Sequence, residues 1–70
     1  MNLTVNGKPA AIDGKEALSV TELLGALKVS QPDYVTVELN GEILERADFL
    51  ATMVRDGDTV EFLYFMGGGR

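Results

Sequence analysis

The residues best suited to chemistry in this chain lie in its final stretch, Met66-Gly67-Gly68-Gly69-Arg70. Glycines carry no side-chain chemistry, so the reactive group such a stretch offers is a backbone carboxylate. A carboxylate is a poor acyl electrophile until it is converted to an activated derivative such as an acyl adenylate. That conversion needs a site in another protein, and the carboxylate must reach it. Extended residues span about 3.3–3.6 Å each, which gives an arm starting at Gly67 a reach of roughly 10–14 Å. Glycine adopts nearly any φ/ψ and lets backbone pass close to backbone, where side chains would obstruct a narrow channel. Such a tail has almost no apolar surface to offset an ordering cost of about 1–2 kcal/mol per residue, so mobility is expected in the free protein. The bland alternative is a frayed terminus with no role.

The rest of the chain offers little catalytic chemistry. It contains neither His nor Cys, which removes the usual general base, the thiolate nucleophile and the commonest metal ligands. Absence of Cys leaves the redox compartment open. Eleven acidic residues against six basic ones give a net charge of −5, which argues against a phosphate-backbone partner and fits a partner with a basic surface. "DGDTVE" places Asp56, Asp58 and Glu61 close together, but the spacing is not that of a calcium loop and reads as a turn before a strand. Glu42, Glu45 and Asp48 read as a solvated surface. The glycine run is not a phosphate cradle, because no helix follows it. No catalytic residue and no metal site are expected. No apolar run approaches a bilayer span, and "MNLTVNG" opens in strand alternation without signal-peptide regions, so the expected location is the cytoplasm.

The elements that would carry the arm are legible from pattern. "MNLTVNGKPAAID" alternates around Asn6-Gly7, a strong hairpin signal, and Pro9 makes the second strand, through Ile12, an edge. "LSVTELLGALKV" is the main helix: Ser19 and Glu22 form a capping box, and Leu18 and Leu23 a hydrophobic staple. Val20, Leu23, Leu24 and Leu27 mark its buried stripe. Gly25 lies off that stripe without a sequence-level reason. Ser30 to Asp33, with Pro32 among them, are expected to break the helix. "YVTVELNGEIL" is a second hairpin around Asn40-Gly41. "RADFLATMV" supplies one or two helical turns with Phe49, Leu50 and Met53 as apolar contacts, "RDGD" turns, and "TVEFLYF" is the last strand. Hairpin, helix, hairpin, helical turn and strand give an α+β two-layer domain, the β-grasp or ubiquitin-like order, with one helix across one face of a mixed sheet. The domain is expected over 1–66 and the tail over 67–70. The expected core is Leu3, Val5, Ile12, Val20, Leu23, Leu24, Leu27, Val35, Val37, Leu39, Val60 and Phe62.

Parity in the last strand sets Val60, Phe62 and Tyr64 toward the helix and Glu61, Leu63 and Phe65 toward solvent. Leu63 and Phe65, with Tyr34 beside them, form an expected apolar partner surface on an acidic domain. The competing expectation is that twist or the short helical segment covers them.

Taken together, the β-grasp order, "L-x-V-x-x-L-L" at Leu18 to Leu24, "NGE" at Asn40 to Glu42, "DGDTVEFL" at Asp56 to Leu63 and "MGGG" at Met66 to Gly69 resemble the ThiS family. These are the sulfur carrier proteins of thiamine biosynthesis, and the resemblance covers essentially the whole chain. It implies no bound cofactor and no catalysis by the carrier itself. An E1-like adenylyltransferase (ThiF-like) uses ATP to adenylate the C-terminal glycine, and sulfur from a cysteine-desulfurase or persulfide donor replaces AMP. A thiazole synthase (ThiG-like) then takes sulfur from the resulting thiocarboxylate. On this resemblance Gly69, after loss of Arg70, carries the acyl group together with Gly68, and Gly67 belongs to the partner surface with Leu63, Phe65 and Tyr34. The departure is Arg70: family tails end at glycine, so Arg70 is either removed before activation or tolerated. Two other readings stay open, a molybdopterin synthase small subunit (MoaD-like) and a ubiquitin-like binding module without acyl chemistry. The MoaD-like tail is usually preceded by proline, absent from "FLYFMGGG".

Overall fold

A two-residue hairpin turn that matches the twist of its strands needs positive φ at both central residues. The computed structural model describes residues 1–64. Both Asn-Gly pairs meet the requirement, with φ of 52° and 82° at Asn6 and Gly7 and of 51° and 88° at Asn40 and Gly41. In chain order the elements are β1 (Asn2–Val5), β2 (Lys8–Ala11), β3 (Ala17–Ser19), α1 (Val20–Ala26), β4 (Thr36–Leu39), β5 (Glu42–Ile43), a 3-10 turn (Arg46–Asp48), β6 (Met53–Arg55) and β7 (Thr59–Leu63). Five strands form one mixed sheet in the order β2-β1-β7-β4-β5, with β1 and β7 parallel at its centre. This is the β-grasp order expected from the sequence, with β2 at an edge where the missing N–H of Pro9 costs no ladder bond. Among the described residues no helix is long and apolar enough to cross a membrane.

The helix starts as its capping box dictates. Glu22 N–H donates to Ser19 Oγ and Ser19 N–H to Glu22 Oε1, each at 3.0 Å. The first two helical amides find partners outside the helix, Val20 N–H on the Thr52 carbonyl and Thr21 N–H on that of Phe49. A helix start therefore leaves no orphan donor there, and the segment after the 3-10 turn is tied to it. The stop differs from expectation. The helix ends at Ala26, well before Pro32, because Lys28 turns left-handed at φ 54°. Lys28 N–H then reaches the Gly25 carbonyl and Val29 N–H that of Leu24. This is the Schellman pattern, here with lysine where glycine is usual.

The core lies between α1 and the sheet. Leu3, Val20, Leu23, Leu24, Val35, Val37, Val60 and Phe62 are buried as expected, while Val5, Ile12, Leu27 and Leu39 pack against them half-buried. Leu18, Phe49 and Val54 complete it. Val54 belongs to an element absent from the sequence reading: β6 pairs antiparallel with β3, with Leu18 opposite Val54. Two expected apolar contacts are corrected. Leu50 and Met53 are exposed, because the 3-10 turn brings only Phe49 inward and β6 alternation turns Val54 in and Met53 out. The second strand stops at Ala11, although Ile12 N–H still donates to the Met1 carbonyl. The last strand stops at Leu63, and the expected 66/67 boundary lies outside the described residues.

Candidate functional site

The arm continues from β7, so what holds β7 sets where the arm begins. On one side β4 pairs with it from Leu39↔Val60 to Thr36↔Leu63. On the other, β1 runs parallel only as far as Val5↔Val60. Past that point the turn residue Asn6 takes over. Its N–H donates to the Val60 carbonyl at 2.9 Å, and its Oδ1 accepts from Phe62 N–H at 2.8 Å. Tyr64, the last described residue, donates its hydroxyl to the Ser30 carbonyl. Phe65, Gly67, Gly68, Gly69 and Arg70 lie outside the described residues.

The sheet face turned away from the helix carries the other candidate residues. Cross-strand pairing places Leu63 opposite Thr36 and Glu61 opposite Glu38, and opposite residues share a face. Tyr34, expected beside them by strand parity, lies instead in the turn before β4, where its N–H donates to the Gln31 carbonyl, and it is 76% exposed; Leu63 is half-buried. The structure adds Ile43, which the sequence reading missed. It pairs with Glu38 and is 64% exposed, so it stands on this same face. The signal was present: a two-residue Asn40-Gly41 turn pairs Leu39 with Glu42, and therefore Glu38 with Ile43. The face thus holds apolar Ile43 and Leu63 around the carboxylates Glu38 and Glu61.

The acidic turn does structural work. Asp58 accepts from Arg55 N–H through Oδ2 at 2.8 Å and from Asn40 Nδ2 through Oδ1 at 3.1 Å, while Asp56 Oδ1 accepts from Asn2 N–H at 2.6 Å. Among the described residues no group of three or more acidic side chains is placed to hold a metal ion. The Glu22 carboxyl titrates below its ordinary value, chiefly because it accepts from the Ser19 backbone N–H, helped by the Ser19 side chain and by Lys15. A groove of about 630 Å³ between α1 and the 3-10 turn, lined by Leu24, Gly25, Phe49 and Leu50, sits in the helical layer.

Residues 3–69 match the family model described as the ThiS family. The chain belongs to the ThiS family. Its fold superposes on a crystal structure described as thiamine biosynthesis protein ThiS from Geobacter metallireducens, with a TM-score of 0.94 and 75% identity over 99% of this chain and 100% of that one. A solution structure of a thiamine biosynthesis protein from the same organism gives 0.79 and 74%, covering 100% of this chain and 90% of that one. The chain is also 36% identical, over 99% of its length, to a thiazole synthase of Paramagnetospirillum magneticum. It spans only 20% of that relative, so the ThiS-like segment there is one part of a much longer protein.

Proposed function

We propose that this chain is a sulfur carrier of thiamine biosynthesis whose Gly69 carboxylate is the working group. One observation supports this above the others: the family match runs through all three tail glycines and stops at Gly69. On this reading Arg70 is removed, and the freed carboxylate oxygen attacks the α-phosphorus of ATP on an E1-like adenylyltransferase. Pyrophosphate leaves, and an acyl adenylate remains. A sulfide equivalent from a donor protein then attacks the acyl carbon and expels AMP, giving a glycyl thiocarboxylate.

Thiazole synthase is the proposed acceptor of that sulfur. The support is the Paramagnetospirillum relative, which is named for that activity and contains a segment like this chain. The carrier itself contributes no acid, base or cofactor, and ATP is consumed on the partner. The cycle is placed in the cytoplasm, with that partner and its ATP. The outer sheet face with Ile43 and Leu63 docks the adenylyltransferase, with Tyr34 and Phe65 as further apolar contacts, while Gly67 and Gly68 pass into its channel. A single measurement tests the reading: intact mass of the chain after incubation with ATP, adenylyltransferase and a sulfur donor. The expected product lacks Arg70 and carries sulfur in place of one oxygen. A mass that never changes in the presence of active partners overturns it.

A further inference from the structure

Tyr64 shares the parity of Val60 and Phe62, so its side chain leaves the sheet on the helix side. Helix α1 has already ended at Ala26 and does not reach over it. The ring therefore stays 41% exposed, against a hollow of about 400 Å³ lined by Val5, Leu27, Val29 and Phe62. Its hydroxyl donates to the Ser30 carbonyl, a link across 34 residues of sequence. The acceptor loop is itself held in place. Val29 N–H is bound to the Leu24 carbonyl, and the Pro32 and Val35 carbonyls accept from the Arg46 guanidinium at 3.0 and 2.8 Å. Asn6 fixes the neighbouring Phe62 from the other side. The last residue before Phe65 is thus tied to rigid backbone by a bond that burial of the ring does not require.

We propose that Tyr64 is a positioning residue for acyl activation: its bond to the Ser30 carbonyl fixes the root of the glycine arm and so the direction in which the carboxylate is delivered. The proposal rests on the carrier reading above. A tethered group reacts in proportion to the time it spends in the productive geometry, and a root that swings over a wider cone spends less. Docking through the outer sheet face is a separate contribution, made by other side chains.

The test compares the native chain with Tyr64→Phe, which keeps the ring and loses only the donor. Two readouts are needed, the carbonyl ¹³C shift of Ser30 and steady-state adenylation by the adenylyltransferase after removal of Arg70 from both proteins. The Ser30 shift is expected to move on substitution. The kcat is expected to fall about two- to tenfold, the worth of one hydrogen bond, with KM for the carrier unchanged and the chain still fully folded under the assay conditions. A Ser30 shift that stays put shows that the bond is absent and overturns the proposal. A shift that moves while kcat holds overturns the positioning role and leaves the carrier reading intact. A native chain that is never adenylated, although its Ser30 shift responds, overturns the carrier reading and this proposal with it.

Discussion

Asn6 Oδ1 accepts a hydrogen bond from Phe62 N–H at 2.8 Å, so the first turn of the chain holds the end of its last strand. The same residue adopts φ 52° to form the turn. One side chain therefore serves both the hairpin and the strand from which the arm continues. Asn6→Ala removes the acceptor and strains the left-handed backbone, whereas Asn6→Gly removes only the acceptor. Leaving the half-buried Phe62 amide unpaired is expected to cost about 1–3 kcal/mol in both variants, with the alanine lower by the added strain. Urea unfolding with an unchanged slope measures it. Equal stability of Asn6→Gly and the native chain would mean that water replaces the bond at no cost.

Ile43 and Leu63 share the outer sheet face with Glu38 and Glu61 between them in the cross-strand pairing. Ile43→Asp adds charge at an exposed position of a short edge strand and is expected to leave stability within about 0.5 kcal/mol. If this face docks the adenylyltransferase with Ile43 as a central anchor, its dissociation constant rises about tenfold or more, since loss of a hot-spot contact costs about 2 kcal/mol or more. Leu63→Asp should act in the same direction. Titration calorimetry on the folded variants decides it, and unchanged affinity for both moves the docking surface elsewhere.

Most of this fold was legible because its signals are local. Two Asn-Gly turns, a capping box and strand alternation each act within a few residues, and each appears where the pattern placed it. What was not legible depended on tertiary partners. The β3–β6 ladder joins three-residue strands, and Ala17–Ser19 reads as the approach to a helix cap until Val54 is seen opposite Leu18. The helix stop at Lys28 was hidden because lysine carries no left-handed signature, while Pro32 carries a strong breaker signature in the wrong place. Exposure of Leu50 followed from the direction of a 3-10 turn that composition does not encode, and that of Met53 from its place in β6. At the site, the parity of Leu63 was readable and Ile43 was derivable from the turn length, whereas Tyr34 falls in a turn where strand parity does not apply. The Tyr64 bond to Ser30 was not, since nothing in sequence says where α1 leaves the sheet uncovered.

The capping box makes stability depend on pH in a known direction. Glu22 has its carboxyl held below its ordinary value of 4.5 by the Ser19 N–H. A lowered folded-state pKa means stability that is fully present above the ordinary value and lost as pH falls through the folded one. Glu22→Gln keeps an acceptor for Ser19 but does not titrate. The native chain should therefore exceed the variant at neutral pH, and the gap should shrink as acid is added below the ordinary carboxyl range. Urea midpoints of both proteins over a descending pH series measure this. A gap that widens in acid contradicts the assignment.

Gly25 sits inside α1, and a Cβ built there meets no atom within 4 Å. Its φ lies outside the left-handed region, so alanine fits without strain. Gly25→Ala is expected to stabilise the chain by about 0.4–1 kcal/mol through the unfolded state. In a domain of this size that is worth a few degrees in the melting midpoint, at roughly 4–8 °C per kcal/mol. Calorimetry on the two proteins checks it. A loss of stability would show that the groove beside Gly25 closes on folding more tightly than its geometry indicates.

The chemistry at the terminus gives the sharpest comparison. If Gly69 is the acyl carrier, Arg70 sets a long cationic side chain beside the carboxylate, in a channel shaped for glycine. The chain lacking Arg70 should then support faster ATP–pyrophosphate exchange with the adenylyltransferase than the full chain does. Gly69→Val in the trimmed chain should be exchanged poorly at unchanged stability, because a β-branched side chain restricts the backbone and fills the space through which glycine passes. A melting midpoint measured on each protein separates a loss of folding from a loss of exchange. Equal exchange by the full and trimmed chains would show that Arg70 is no barrier and that activation needs no processing. Equal exchange by the valine variant would remove the steric reason for glycine in the arm, and the apolar sheet face would then be left as the main determinant of partner choice.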